Sequence, residues 1–173
     1  MFKYEFVVRK AKLQDAKELL KLFKSVSRDS KWLLSEPDEV PANLKDERAF
    51  IKNHSQKNSI LIVAEHQGSI IGVLGATGGS RKRNKHVIDM GISVLDSWRG
   101  RGVGAAMMKR LFEWCLKAGI KKIKLTVMTG NESAIKFYKK LGFLSEGTLK
   151  KEFKIGRRYH DGFQMARFMC KTG

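Results

Sequence analysis

Arg99, Gly100, Arg101, Gly102, Val103 and Gly104 combine three glycines on alternate positions with two cations. They follow an apolar run over residues 86–94 and precede apolar residues at Val103, Met107, Leu111, Trp114 and Ala118, at helical spacing. The order is strand, glycine loop, helix. Glycine has no Cβ, so backbone N–H groups can approach a bulky ligand, and the first turn of a helix offers unpaired N–H groups and partial positive charge. The chemistry this suits is phosphate binding. Spacing then separates the phosphate-binding classes. A dinucleotide fingerprint needs Gly-x-Gly-x-x-Gly, whose last interval is missing, and a P-loop needs Gly-Lys-Ser/Thr, whereas Ala105 and Ala106 follow Gly104.

Arg99, Gly102 and Gly104 fit the pattern Gln/Arg-x-x-Gly-x-Gly/Ala, and the stretch resembles the acetyl-CoA loop of the GNAT family of N-acetyltransferases. One helix and one strand later, Asn131, Ala134, Tyr138, Gly142 and Phe143 resemble that family's Asn-x-x-Ala-x-x-x-Tyr-x-x-x-Gly-Phe segment, in the family's order. The ending, with Glu146, Gly147, Thr148 and Leu149 and later Gly156, Arg157, Arg158, Tyr159, His160 and Asp161, resembles the branch of ribosomal-protein, amino-acid and polyamine acetyltransferases. This resemblance covers nearly the whole chain. It implies an α/β (α+β) fold in a single domain over residues 1–173, with a mixed, mostly antiparallel sheet of about seven strands, a splayed parallel pair and about four flanking helices. It also implies acetyl-CoA as acetyl donor, with no metal. Backbone groups around Ile92, Ser93 and Val94 would hold the pantetheine arm, the amides of Arg99, Gly100, Arg101, Gly102, Val103 and Gly104 the pyrophosphate, and Asn131 and Tyr138 would contact the arm.

Acyl transfer to an amine sets the remaining requirements. An amine with a pKa of about 10.4 is almost wholly protonated at pH 7, so a base must take a proton. The oxyanion needs an N–H donor, and a thiolate with pKa about 8.5 leaves more readily when a proton is supplied. Tyr138 matches the family's position for that donor, and its hydroxyl is neutral at pH 7. Asp89 is the favoured base, because Asp89, Gly91, Ile92, Ser93 and Val94 resemble a branch with glutamate at this place. Aspartate is one methylene shorter, which calls for a bridging water. Asp161 and Glu65 are the other candidates, and a partner for Lys85 or another basic neighbour is the structural alternative for Asp89. Thr126 stands where other members carry a glutamate and cannot serve.

The elements that must position these residues read as follows. Residues 6–9 form a strand and 15–27 a helix with Ala16, Leu19, Leu20, Phe23 and Val26 on one face and Asp15 as its cap. Residues 28–45 hold Pro37 and Pro41 and are irregular; Trp32, Leu33 and Leu34 there either line the acceptor pocket or pack on the core. A helix at 46–56 leads into a strand at 60–65 buried on both faces, a turn at Gln67 and Gly68, and returning strands at 70–76 and 87–94. Gly91 is read as a bulge that starts the splay. A helix over 102–118 crosses to a parallel strand at 122–128. A helix at 131–141 follows, capped by Asn131 and stopped by Gly142, with Ala134, Tyr138 and Leu141 on one stripe. Strands at 143–153 and 159–169, joined by a turn at 155–158, close the sheet.

A chain of 173 residues with 42% hydrophobic content suits one core. Thirty-five Lys and Arg against 17 Asp and Glu give +18, a field that attracts coenzyme A, acidic peptides or nucleic acid alike. The run Arg81, Lys82, Arg83, Asn84, Lys85 reads as a solvated hairpin loop without interleaved aromatics, so nucleic acid or the ribosome is a secondary partner beside acetyl-CoA and a primary amine. A homodimer is admissible. Residues 1–10 lack an apolar signal region and no stretch has membrane-spanning length, so a cytoplasmic location without membrane contact is expected. Cys115 and Cys170 read as idle thiols, and the four histidines lack ligand spacing. The expected activity is direct acetyl transfer to a primary amine of a small molecule or protein N-terminus. A basic acetyl-CoA-binding regulatory or ribosome-associated protein with little catalysis is the alternative.

Overall fold

The computed structural model describes residues 5–29, 32, 43–55 and 58–169. Seven strands form one sheet in the order β1-β2-β3-β4-β5-β7-β6. They are β1 (Val7–Lys10), β2 (Ser59–His66), β3 (Ser69–Gly78), β4 (Val87–Val94), β5 (Lys122–Met128), β6 (Leu144–Ile155) and β7 (Arg158–Phe168), and the four helices are α1 (Ala16–Asp29), α2 (Leu44–Asn53), α3 (Val103–Ala118) and α4 (Glu132–Lys140). Every neighbouring pair is antiparallel except β4 with β5. This is the mixed sheet with a parallel pair that the sequence led us to expect.

Local chemistry explains the elements. β2 is a run of β-branched and leucine side chains, buried at its first six positions because helices cover both faces. Gln67 and Gly68 both take positive φ, +48° and +79°, as a two-residue type I′ hairpin turn demands. α2 starts two residues earlier than expected and ends three earlier, at Asn53; its start is fixed by the Asn43 side chain, which accepts the Lys45 and Asp46 amides at 2.9 and 3.0 Å. Asp15 is not the simple helix cap expected of it. Its carboxylate accepts the Lys12 amide behind it at 2.7 Å and two Arg9 guanidinium bonds at 2.7 and 2.8 Å. Burial raises this carboxyl, but the Arg9 and Lys12 bonds outweigh it and hold the group below its ordinary value. Leu22, absent from the expected apolar face of α1, is fully buried, while Leu20 is half-buried.

Two cores lie on opposite faces of the sheet. On one, Ile88 and Met90 of β4 and Ile123, Leu125 and Val127 of β5 pack with Met107, Met108, Leu111 and Cys115 of α3 and Tyr138 of α4. Burial pushes the Cys115 thiol up to about 12, which suits an inert packing residue; Cys170 lies outside the described residues. On the other face, α1 and α2 cover Leu61, Val63, Ile70 and Val73 of β2 and β3. Alternation along β4 and β5 therefore sends Asp89, Gly91, Lys124 and Thr126 to the α1/α2 side.

Candidate active site

The β4 to α3 connection is built for close approach. A short turn at Asp96–Trp98 ends the strand, and Gly100 and Gly102 then take φ of +72° and +84°. These left-handed values are strained for any side chain. A Cβ placed on either would meet no atom within 4 Å, so both glycines border open space at the head of α3. Gly102 caps α3 through its backbone, the Ala106 amide bonding its carbonyl at 3.0 Å, and leaves the first amides of the 16-residue helix directed at that space. Gly104 answers a different need. Its Cβ would lie 3.2 Å from Phe137 Cζ, and its bareness lets α4 approach α3. The cations are engaged locally: Arg99 pairs with Asp96 at 2.8 Å and the Arg101 guanidinium lies 5.3 Å from the Trp98 ring centre.

Next to this loop the sheet comes apart. β4 and β5 pair only at Val87 with Lys122, Ile88 with Ile123 and Asp89 with Lys124, although β4 runs on to Val94 and β5 to Met128. Ile92, Ser93 and Val94 thus keep their β3 partners Leu74, Val73 and Gly72 and have no strand on the other side. Their free backbone groups must be satisfied by something else. The expected bulge at Gly91 is absent. Gly91 sits in unbroken register opposite Gly75, and β5 likewise keeps its β7 partners through Met128, so the opening lies between two regular strands. What Gly91 contributes is a bare face, since its Cβ would meet nothing within 4 Å.

Tyr138 and Asp89 approach the opening from opposite faces. Tyr138 is 8% exposed among Phe137 and Phe143, with ring centres at 5.4 and 5.6 Å. Burial pushes its hydroxyl up to about 12, so it holds its proton throughout the neutral range. α4 delivers it there because Asn131 accepts the Ala134 amide at 3.3 Å and Gly142, with φ +82°, ends the helix. Asp89 is the last paired residue before the opening. Its carboxylate is 56% exposed and lies 3.0 Å from Lys124 Nζ, a partner on the adjacent strand rather than Lys85. The two other acids weighed as bases are paired as well. Glu65 binds Arg9 at 2.6 Å, and Asp161 accepts Lys150 Nζ at 2.8 Å and the Lys151 amide at 2.9 Å, the two bonds that hold its carboxyl below its ordinary value.

Trp32 is weighed above as pocket lining or core packing, whereas nothing in the sequence singles out Glu47. Trp32 lies over the head of α4, its ring 3.3 Å from where a Cβ on Gly130 would stand; Leu33 and Leu34 lie outside the described residues. Glu47 of α2 is wholly buried with neither carboxylate oxygen bonded, and burial pushes it up to about 7. Among the described residues no cluster of three or more His, Cys, Asp or Glu could hold a metal, and no helix is long and apolar enough to cross a membrane.

This arrangement has counterparts. The Acetyltransferase (GNAT) family profile matches residues 27–143, more than half of the chain and including both the glycine loop and the Tyr138 helix. The chain belongs to the GNAT acetyltransferase family. An L-amino acid N-acetyltransferase, AaaT of Escherichia coli K12, is 41% identical over 107 residues, which span 61% of this chain and 66% of that relative. The crystal structure of a GNAT acetyltransferase from Streptococcus pneumoniae superposes with a TM-score of 0.90 at 27% identity, covering 96% of this chain and all of the other. A Salmonella typhimurium acetyltransferase, yncA, solved with its cofactor acetyl-CoA, shares the fold at a TM-score of 0.84 and 15% identity, over 96% of this chain and 95% of that one.

GNAT enzymes use acetyl-CoA, and the residues present fit it. Two left-handed glycines whose missing side chains leave space, a helix head with free amides, and an unpaired length of β4 are features that a diphosphate and an amide-bearing arm can occupy.

Proposed function

We propose that this GNAT protein, acting through its whole chain as one catalytic domain, transfers an acetyl group from acetyl-CoA directly to a primary amine. The acceptor we favour is the α-amine of an amino acid or of a protein N-terminus, in keeping with the activity named for the AaaT relative. The observation that carries the reading is the three-residue limit on β4–β5 pairing beside a glycine loop open to solvent. The coenzyme supplies the activated thioester. Amides of Arg99, Gly100, Arg101, Gly102, Val103 and Gly104 hold its phosphates, and backbone groups of Ile92, Ser93 and Val94 hold its arm, with Asn131 alongside.

Asp89 accepts the ammonium proton, directly or through a water. Its position at the last paired step, exposed on the α1/α2 face, lets an acceptor reach the opening from that side. Tyr138 comes from the opposite face and donates its proton to the departing sulfur. A group held up to about 12 by burial remains a donor at every physiological pH. The transfer is direct, without an acyl intermediate on Cys115, whose thiol is buried in the α3-side core.

Thermal stabilisation by acetyl-CoA and thiol release with a panel of amines test the proposal. Stabilisation together with amine-dependent thiol release is the expected result; stabilisation with no release from any amine defeats it. A second reading, association with a polyanion such as ribosomal RNA, draws on the +18 charge and on the exposed Lys150, Lys151, Lys154, Arg157 and Arg158 of the β6–β7 ribbon. A cytoplasmic location belongs to both readings.

A further inference from the structure

β6 and β7 pair in three stretches, broken at Glu146 and, more widely, at residues 150–152. Leu149 stands opposite Gly162 and Phe153 opposite His160, so residues 150–152 face Asp161 alone. This large bulge includes Lys151 at φ +54°, a left-handed conformation that lysine does not adopt unaided. Asp161 supplies the restraint. One carboxylate oxygen accepts Lys150 Nζ at 2.8 Å and the other the Lys151 amide at 2.9 Å, while its carbonyl accepts the Thr129 amide at 3.0 Å. Thr129 lies two residues before Asn131, the cap of α4. One residue thus fastens the bulge to the loop that starts the Tyr138 helix.

The bulge lays Phe153 over the sheet. A Cβ on Gly162 would be 2.8 Å from Phe153 Cε2 and 2.9 Å from Thr126 Cγ2, which explains why glycine is needed there. Thr126 is exposed, and it lies two residues beyond Lys124 on the face that carries Asp89. Phe153, half-buried, therefore stands as a wall on the face of the sheet that carries Asp89, beside Gly162 and the exposed Thr126.

We infer that this wall selects the acceptor: Phe153 favours amines that carry an apolar side chain, and Asp161 is the positioning residue that fixes it. The inference rests on the acetyl transfer proposed above. Its test compares the acceptor KM, the acetyl-CoA Kd and the ranking of apolar, small and acidic amino acids, free or as short peptides. Phe153→Ala is expected to raise KM for apolar acceptors at least about tenfold and to flatten the ranking, with the acetyl-CoA Kd within about twofold.

Asp161→Ala is expected to reproduce that pattern and to speed hydrogen exchange at the Lys151 amide. Asp161→Asn, which keeps an oxygen for that amide, should restore most of the ranking. Gly162→Ala, by displacing the Phe153 ring, gives an independent route to the same change. An unchanged ranking in both Phe153→Ala and Gly162→Ala overturns the inference. So does an Asp161→Ala variant that weakens acceptor and coenzyme equally. Wild-type protein that acetylates nothing would defeat the proposed reaction instead; the wall is then judged by NMR, where failure of apolar amino acids to perturb the Phe153 ring signals overturns it.

Discussion

Two pairs of glycines, one where β3 ends and one after β4, are bare for opposite reasons. At Gly78 and Gly79, where β3 ends, an added Cβ would collide with Asn58 and Asn84; for Gly78 it would lie 2.6 Å from the Asn58 carbonyl oxygen. There the chain fills its own space, as the Asn58 amide donating to the Gly79 carbonyl at 2.6 Å shows. At Gly100 and Gly102, after β4, an added Cβ meets nothing. Both have left-handed backbone angles that favour glycine, and on the reading proposed above the space beside them receives the coenzyme's diphosphate.

The comparison can be broken most severely at Gly102. Gly102→Val is expected to lower acetyl-CoA affinity by at least about a hundredfold, roughly 2.7 kcal/mol, in calorimetry on folded protein. Normal affinity would show that the space at the head of α3 serves no ligand. The next effect asks whether the open side leads to chemistry. Asp89→Asn should cut kcat by about a hundredfold with an unaltered acetyl-CoA Kd, and the loss should be greatest at low pH, where the amine is most protonated. An unchanged pH profile would place the base elsewhere. Tyr138→Phe should reduce turnover by about tenfold, since a thiolate departs without much help. Because the phenol of the parent titrates near 12, the donor should impose no alkaline limb on kcat below about pH 11.

The inward-facing side predicts stability effects instead. Gly78→Ala should cost about 2 kcal/mol by denaturant titration while leaving coenzyme affinity intact, the mirror image of Gly102→Val. Glu47, buried and unpartnered, adds a pH term. Burial pushes its carboxyl up to about 7 in the folded state from about 4.5 in the unfolded chain, so across that interval the folded state holds the extra proton. Stability should then fall by about 1 kcal/mol per pH unit as pH rises from 4.5 to 7, and Glu47→Gln should remove the slope in thermal melts.

Sequence made some of these features legible and hid others for physical reasons. The glycine loop, the Gln67–Gly68 turn, the buried β2 and the Asn131 cap depend on residues within a few positions of one another, and all were readable. Bulges were not. Gly91 reads as one and is regular, while the actual irregularities fall at Ile71, which has no partner in the β2 ladder, at Glu146 and at residues 150–152. A bulge is a property of two strands, and only the partner's register reveals it. The Lys124 partner of Asp89, the contact of Phe153 with Gly162 and the burial of Glu47 depend on distant chain segments in the same way. Leu22 escaped notice because the helical stripe was drawn one position too far around α1.

The short β4–β5 ladder bears on stability as well as on binding. The sheet is joined through its middle by three residue pairs, with α3 packed against both strands on one face. A ligand that bridges the unpaired lengths of β4 and β5 would lock the two halves together, and on the reading proposed above coenzyme A, with or without its acetyl group, would raise the melting temperature.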